Sequence, residues 1–131
     1  MSFTNHLETL ILQWAFTTGS ATRPTAWHVG LFTAAPGEAG GGTEVTGGSY
    51  ARQSATFTVS GNLATNSAAI EWPAATASWG TISHAAVFDA STGGNMLGYA
   101  ELQSGGSPAT FTIGTGSVFR IPSSDLDITL D

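Results

Sequence analysis

Between Trp27 and Arg52 an aromatic strand pattern runs into a long glycine loop, which hands a tyrosine and an arginine to the next strand. The stretch reads Trp27-His28-Val29-Gly30-Leu31-Phe32-Thr33-Ala34-Ala35-Pro36, then Gly40-Gly41-Gly42-Thr43-Glu44-Val45, then Gly47-Gly48-Ser49-Tyr50-Ala51-Arg52. Trp27, Val29 and Leu31 alternate with His28, Gly30 and Phe32, the period of a strand. Pro36, six glycines and two glutamates exclude a regular ladder over 34–49. No catalytic motif is attached, so the stretch points to a structural β-protein before an enzyme.

The rest of the chain repeats this grammar. Segment 51–59 alternates Ala55, Phe57 and Val59 against Arg52, Ser54, Thr56 and Thr58, and Gly61-Asn62 turns the chain. Ala68, Ile70 and Trp72 form a short strand that stops at Pro73, and 74–80 is small and irregular. Segment 81–89 reads as a central strand, and 91–95 as the hairpin that returns it through 96–102. After a break at Gly105-Gly106-Ser107-Pro108, segments 110–113, 117–121 and 126–130 close the chain, with Leu126, Ile128 and Leu130 opposite Asp127, Thr129 and Asp131. These patterns predict a mainly β chain, an antiparallel sandwich or barrel of about eight short strands, as one domain over 1–131.

The exception is the N-terminus. Leu7, Leu10, Ile11, Trp14 and Ala15 form one apolar stripe at helical spacing. Asn5 with Glu8 three residues on reads as a helix start, and Gly19 as its stop. The helix, placed over 5–18, must cover something: the sheet of its own copy or that of a neighbour.

Composition narrows the function. Charged residues make up 9% of the chain against an ordinary value of about 25%. Arg23, Arg52 and Arg120 are the only cations besides histidine, and the formal net charge is -6. That excludes a phosphate-binding surface for nucleic acid and an electrostatic grip on an anionic membrane. Segment 7–16 is too short to span a bilayer, and 1–17 lacks the basic start of a signal peptide. With no cysteine, disulfides and thiolate chemistry drop out. With no lysine, the usual guard on exposed strand edges is missing, so the edges are covered by helix and loops or paired with further copies.

Candidate chemistry is sparse. His6, His28 and His84 show no metal-ligand spacing, and a strand histidine making one hydrogen bond accounts for them better. Ser83, His84 and Asp89 make a catalytic triad only on paper, because neighbours in a strand point to opposite faces. Glu71 with Glu101, and Asp125 with Asp127, read as solvent-face charges. The 89–95 loop has oxygen donors at alternate positions but no bidentate glutamate, and a turn with a glycine bulge explains it with less. Gly40-Gly41-Gly42 lacks the lysine of a phosphate loop. No cofactor or metal is expected. Of the tryptophans, Trp14 and Trp27 have the periodic context of core residues. Trp79, in a stretch without periodicity, is the best interface anchor, and Tyr50, Arg52 and Trp14 complete the candidate interface set.

Several of these segments together resemble a family of small tailed-phage virion structural proteins, often labelled tail fibre proteins. They are 31–36, 40–45 and 48–52, then Ala75-Thr76-Ala77-Ser78-Trp79-Gly80-Thr81-Ile82-Ser83-His84, the pair Phe88-Asp89-Ala90 and Gly94-Asn95-Met96-Leu97, and the closing Leu126-Asp127-Ile128-Thr129-Leu130. The likeness runs over nearly the whole length. It implies a non-enzymatic component of the virion, assembled in the bacterial host cytoplasm, with no catalytic residues to carry over. A compact, acidic, self-associating β-domain suits a capsid decoration or cement protein that binds the major capsid protein shell. A tail or tail-fibre-associated adhesion module is the alternative. The partners implied are further copies of the chain, a trimer being one order, and other virion proteins.

Overall fold

The computed structural model describes residues 1–130. Strand β1 (Ser2–Phe3) leads into the helix α1 (Asn5–Phe16). Then come β2 (His28–Ala34), β3 (Thr43–Glu44), β4 (Gln53–Ser54), β5 (Phe57–Ser60), β6 (Leu63–Asn66), β7 (Ile70–Glu71), β8 (Gly80–Ile82) and β9 (His84–Phe88). They are followed by β10 (Met96–Glu101), β11 (Gln103–Ser104), β12 (Ser107–Pro108), β13 (Phe111–Ile113), β14 (Arg120–Ile121) and β15 (Asp127–Thr129). The fold is mainly β and antiparallel, as the alternation predicts. The ladder is more broken than expected, however, with fifteen short strands in place of about eight. Asp131, placed by alternation on the solvent face of the last strand, lies outside the described residues.

The central sheet has the order β1-β10-β9-β2-β3, with β4 also paired to β2. Because β9 runs along one edge of β2, β3 and β4 share its other edge: β3 pairs at Phe32 and Ala34, β4 at His28 and Val29. The smaller sheets are β13-β8, β14-β7, β15-β6-β5 and β11-β12. The main core joins Val29, Leu31, Val87 and Leu97 of the central sheet to Ile70, Ile82 and Ile113 of the smaller ones and to Trp72, Phe119 and Leu126 beside them. A second cluster, Phe32, Ala86, Phe88 and Met96, lies on the opposite face of the central sheet. This two-sided burial explains why Leu31 and Phe32 are both hidden, although simple alternation would expose one of them.

Segment 81–89 divides at Ser83. Before it, β8 pairs with β13; after it, β9 pairs with β10 and β2. Ser83 keeps its backbone satisfied through the corner, donating to the Phe32 carbonyl at 2.9 Å and accepting from the Leu102 amide at 2.8 Å. A strand that changes sheets must bend at that point.

The helix is capped by Thr4 rather than Asn5. The Thr4 hydroxyl accepts from the Leu7 amide at 3.4 Å and donates to the carbonyls of Met96 and Leu97, tying α1 to β10. Asn5 instead uses its amide, which donates to the Glu38 carbonyl at 3.0 Å, so the glycine loop closes over the helix start. The helix ends at Phe16, two residues short of the expected end. Leu7, Leu10 and Ile11 are half-buried, but Trp14 on the same stripe is 77% exposed, because the helix outruns the sheet beneath it. Trp14 is therefore not a core residue. Trp27 is half-buried and meets Phe57 edge-on at 6.5 Å.

One polar side chain at the centre of the smaller sheets is fully satisfied. Asn66, 0% exposed, donates to the carbonyls of Ala68 and Pro122 at 2.9 Å each. Its carbonyl oxygen accepts from the amides of Asp125 at 3.1 Å and Leu126 at 2.9 Å. Truncating it strands buried donors and acceptors on two segments. Asn66→Ala is expected to cost about 2–5 kcal/mol, read as a lowered midpoint in thermal and urea unfolding, with Asn66→Asp failing as well because it loses both donated bonds.

Candidate functional site

The stretch singled out in the sequence closes on itself around one gap in the central sheet. The Leu31 amide points to the edge of β2 that β3 and β4 share, in the interval that neither fills. Its carbonyl accepts from Val45 at 2.9 Å, and its amide donates to the Tyr50 hydroxyl at 2.8 Å. The hydroxyl in turn donates to Glu44 Oε1 at 2.8 Å. Arg52 grips the same carboxylate with two parallel bonds, Nε to Oε1 at 2.8 Å and Nη2 to Oε2 at 2.9 Å. Its Nη1 reaches across to the carbonyls of Ala90 at 3.0 Å and Gly93 at 2.8 Å, in the β9–β10 hairpin. The guanidinium also lies over the Phe88 ring, 3.4 Å from its centroid.

This arrangement sits where water scarcely reaches: the Arg52 and Glu44 side chains are 9% and 24% exposed. Gly30 is what lets it lie so close to the sheet. A Cβ there would stand 2.7 Å from Glu44 Oε1 and 3.2 Å from the Tyr50 hydroxyl. Burial pushes the Tyr50 hydroxyl well above the ordinary tyrosine value; the Leu31 amide opposes this, and the neighbouring Glu44 charge reinforces it.

A cavity of about 480 Å³ opens beside the network, bounded by Asn5, His6, Glu38, the 40–42 glycines and Asn95, with Phe32 and Phe88 as floor. Those two rings are stacked at 6.1 Å and are almost wholly covered. The carboxylate and guanidinium nearest the cavity already bind each other, so the network acts as a cross-link between β2, β3 and the β9–β10 hairpin.

Three of the four candidate interface residues come together here, but as interior residues. Trp79 is 4% exposed, meets the Tyr50 ring edge-on at 5.4 Å and donates its indole N–H to the Gly48 carbonyl at 2.9 Å. It anchors the glycine loop. Gly48, at φ +59°, is held so tightly that a Cβ would stand 2.8 Å from the indole nitrogen. Tyr50 and Arg52 are engaged as described, and Trp14 alone is exposed, far from the other three along the helix. The signal for the network was present in the sequence as Tyr50 and Arg52 two apart, hence on one face of an extended segment. Glu44, their common partner, and Gly30 beneath it were not singled out.

The other candidates resolve individually. Ser83 and His84 do bond, Ser83 Oγ to His84 Nδ1 at 2.8 Å, because Ser83 is the corner between two strands and strict alternation does not hold there. Asp89 is at the far end of β9 and takes no part. Its carboxylate accepts from the Asn95 amide at 2.7 Å and side chain at 3.0 Å, closing the hairpin. The carbonyls of that loop are turned to the Arg52 guanidinium rather than to a common centre. Burial alone would raise the Asp89 carboxyl, but the bonds from Asn95 and the nearby His6 outweigh it and hold it below the ordinary carboxylate value. His28 is half-buried and makes no hydrogen bond at its Nδ1. Glu71 pairs loosely with Arg120 at 3.8 Å on the surface, and Glu101, Asp125 and Asp127 are exposed.

A family model described as Gp80, podophage GP4 fiber I protein gp80, matches residues 2–129. No curated protein matches the chain.

The network and the hairpin beside it should be read in stability. Arg52→Ala leaves a largely buried carboxylate without its partner and should cost about 3–5 kcal/mol; Arg52→Lys should recover little, since an ammonium cannot reproduce the fork. Tyr50→Phe orphans the Leu31 amide and should cost about 1–3 kcal/mol. With its folded-state value raised, Tyr50 also contributes stability that is intact below the ordinary tyrosine value of 10.0 and lost as pH rises above it. The wild type should therefore lose stability in that alkaline window more steeply than Tyr50→Phe, in urea titrations followed by circular dichroism. Asp89, depressed in the folded state, contributes stability above the ordinary carboxylate value that fades as pH falls through its own; Asp89→Asn should flatten the acid limb of the same profile.

Proposed function

The chain belongs to the podophage GP4 fiber I protein gp80 family, and from that premise we propose that it is a non-enzymatic structural module of the tail-fibre apparatus. The observation that carries this reading is the extent of the match. Residues 2–129 take in every element from β1 to β15, so the whole β-framework is what the family shares. Membership makes the chain a virion component of fibre type. The family's description as a fibre protein favours the tail-fibre alternative over capsid decoration.

The geometry supports a scaffold. Glu44, Tyr50 and Arg52 hold three segments in fixed register, Asn66 fixes two more, and Trp79 pins the glycine loop. A module that transmits mechanical load between other proteins needs this kind of cross-linking more than it needs an open reactive cleft. The deciding experiment is gold-labelled antibody against the chain on intact, purified virions. Label confined to the tail, at a few copies per particle, is expected. Label spread over the capsid faces at high copy number would overturn the tail assignment in favour of decoration.

A further inference from the structure

The second half of α1 carries apolar side chains on two opposite faces, with Gln13 between them. Trp14 continues the inward stripe of Leu7, Leu10 and Ile11, while Leu12 and Phe16 lie on the opposite face. All three are open to water, at 57% for Leu12, 77% for Trp14 and 80% for Phe16. A helix end with apolar side chains on opposite faces cannot bury both against one sheet. Its own sheet meets it on one side only, and only as far as Ile11.

The same chain carries an apolar groove of about 410 Å³. Its walls include Leu7, Pro24, Trp27, Phe57, Val59 and Ile128, and Val59 is 74% exposed. The exposed helix end cannot fold into the groove of its own copy. Leu7 already borders that groove, and Phe16 lies nine residues further along a rigid helix, roughly 14 Å away at 1.5 Å per residue.

We propose that the 12–16 end of α1 seats in this groove of a second copy. Charge selects a copy of this chain as the occupant. In a molecule of net charge -6, residues 9–22 carry no charge and the groove is lined by no acid, so this is a face through which two copies meet without acidic repulsion. The helix end presents the negative pole of the helix dipole with no basic residue in its last turn, and the groove wall offers Arg23, which joins neither ion pair found among the described residues. Area agrees. Trp14 and Phe16 expose roughly 300 Å² between them, so one contact, with the groove wall counted, removes roughly 600 Å². Two such contacts reach the roughly 1,200 Å² at which specific interfaces begin. The inference does not depend on where in the virion the chain sits.

The test is to spoil each of the two surfaces in turn, followed by light scattering and sedimentation of the purified chain at tens of micromolar. Wild type is expected to sediment as an oligomer. Trp14→Ser with Phe16→Ser removes the helix end, and Val59→Asp spoils the groove; each should sediment as one chain. All of these sites are exposed, so unchanged circular dichroism and melting midpoint will verify the fold. A monomeric wild type or an unchanged mass in either variant would overturn the proposal.

Discussion

The Leu31 amide sits in a gap that the backbone leaves open, and the structure depends on how that gap is filled. A buried amide without a partner costs on the order of 1–3 kcal/mol. Tyr50 supplies the partner, but a hydroxyl that accepts must also place its own proton. Glu44 takes that proton, and a carboxylate so little exposed needs a cation, which is Arg52. Each residue answers a demand created by the previous one. The last link leaves Arg52 with spare donors that pull the β9–β10 hairpin onto the same face. The chain of demands joins the two core clusters, through the Tyr50 ring on Trp79 and the Arg52 guanidinium on Phe88.

The sequence made the class of fold legible because alternation survives even in short strands: Val29 and Leu31, Ile70 and Trp72, and Leu126 all occupy the core face expected of them. It overstated strand length because periodicity is blind to pairing. Segment 81–89 keeps its apolar character across Ser83, yet the hydrogen bonds change sheets there. It also inverted two tryptophans. Trp14 has ideal helical spacing, but spacing reports only which way a side chain faces, and nothing lies beneath that turn. Trp79 has no spacing at all, because it is buried from a coil segment held by Gly48, where the constraint is a close backbone approach rather than a period.

The candidate site was half legible. Tyr50 and Arg52 stood out by residue type, but an exposed role was the default for both. What reversed it was Glu44, an acid inside a glycine-rich loop that local sequence marks as solvent-facing. Only the register of β3 on β2, set by the Phe32 and Glu44 pairing, brings that carboxylate over Gly30. Non-local pairing of this kind leaves no periodic trace.

Fifteen short strands create many ladder ends, and each end leaves backbone groups with no neighbouring strand. Here side chains take the place of the missing strands. Tyr50 serves the Leu31 amide, and Asn66 serves the amides of Asp125 and Leu126 and the carbonyls of Ala68 and Pro122. Thr4 serves the carbonyls of Met96 and Leu97, Trp79 that of Gly48, and Asp89 the Asn95 amide. These are for the most part neutral or singly charged groups acting on peptide bonds, with Tyr50 also bonding Glu44 and Asp89 also bonding the Asn95 side chain, which is how a chain with 9% charged residues holds a broken β-framework in register. The Glu44–Arg52 pair differs. There the Arg52 side chain is drawn in to 9% exposure, where one residue's bonds must bridge three separate segments at once. A guanidinium, with five donors in a fixed plane, meets that requirement where a neutral side chain with one or two donors does not.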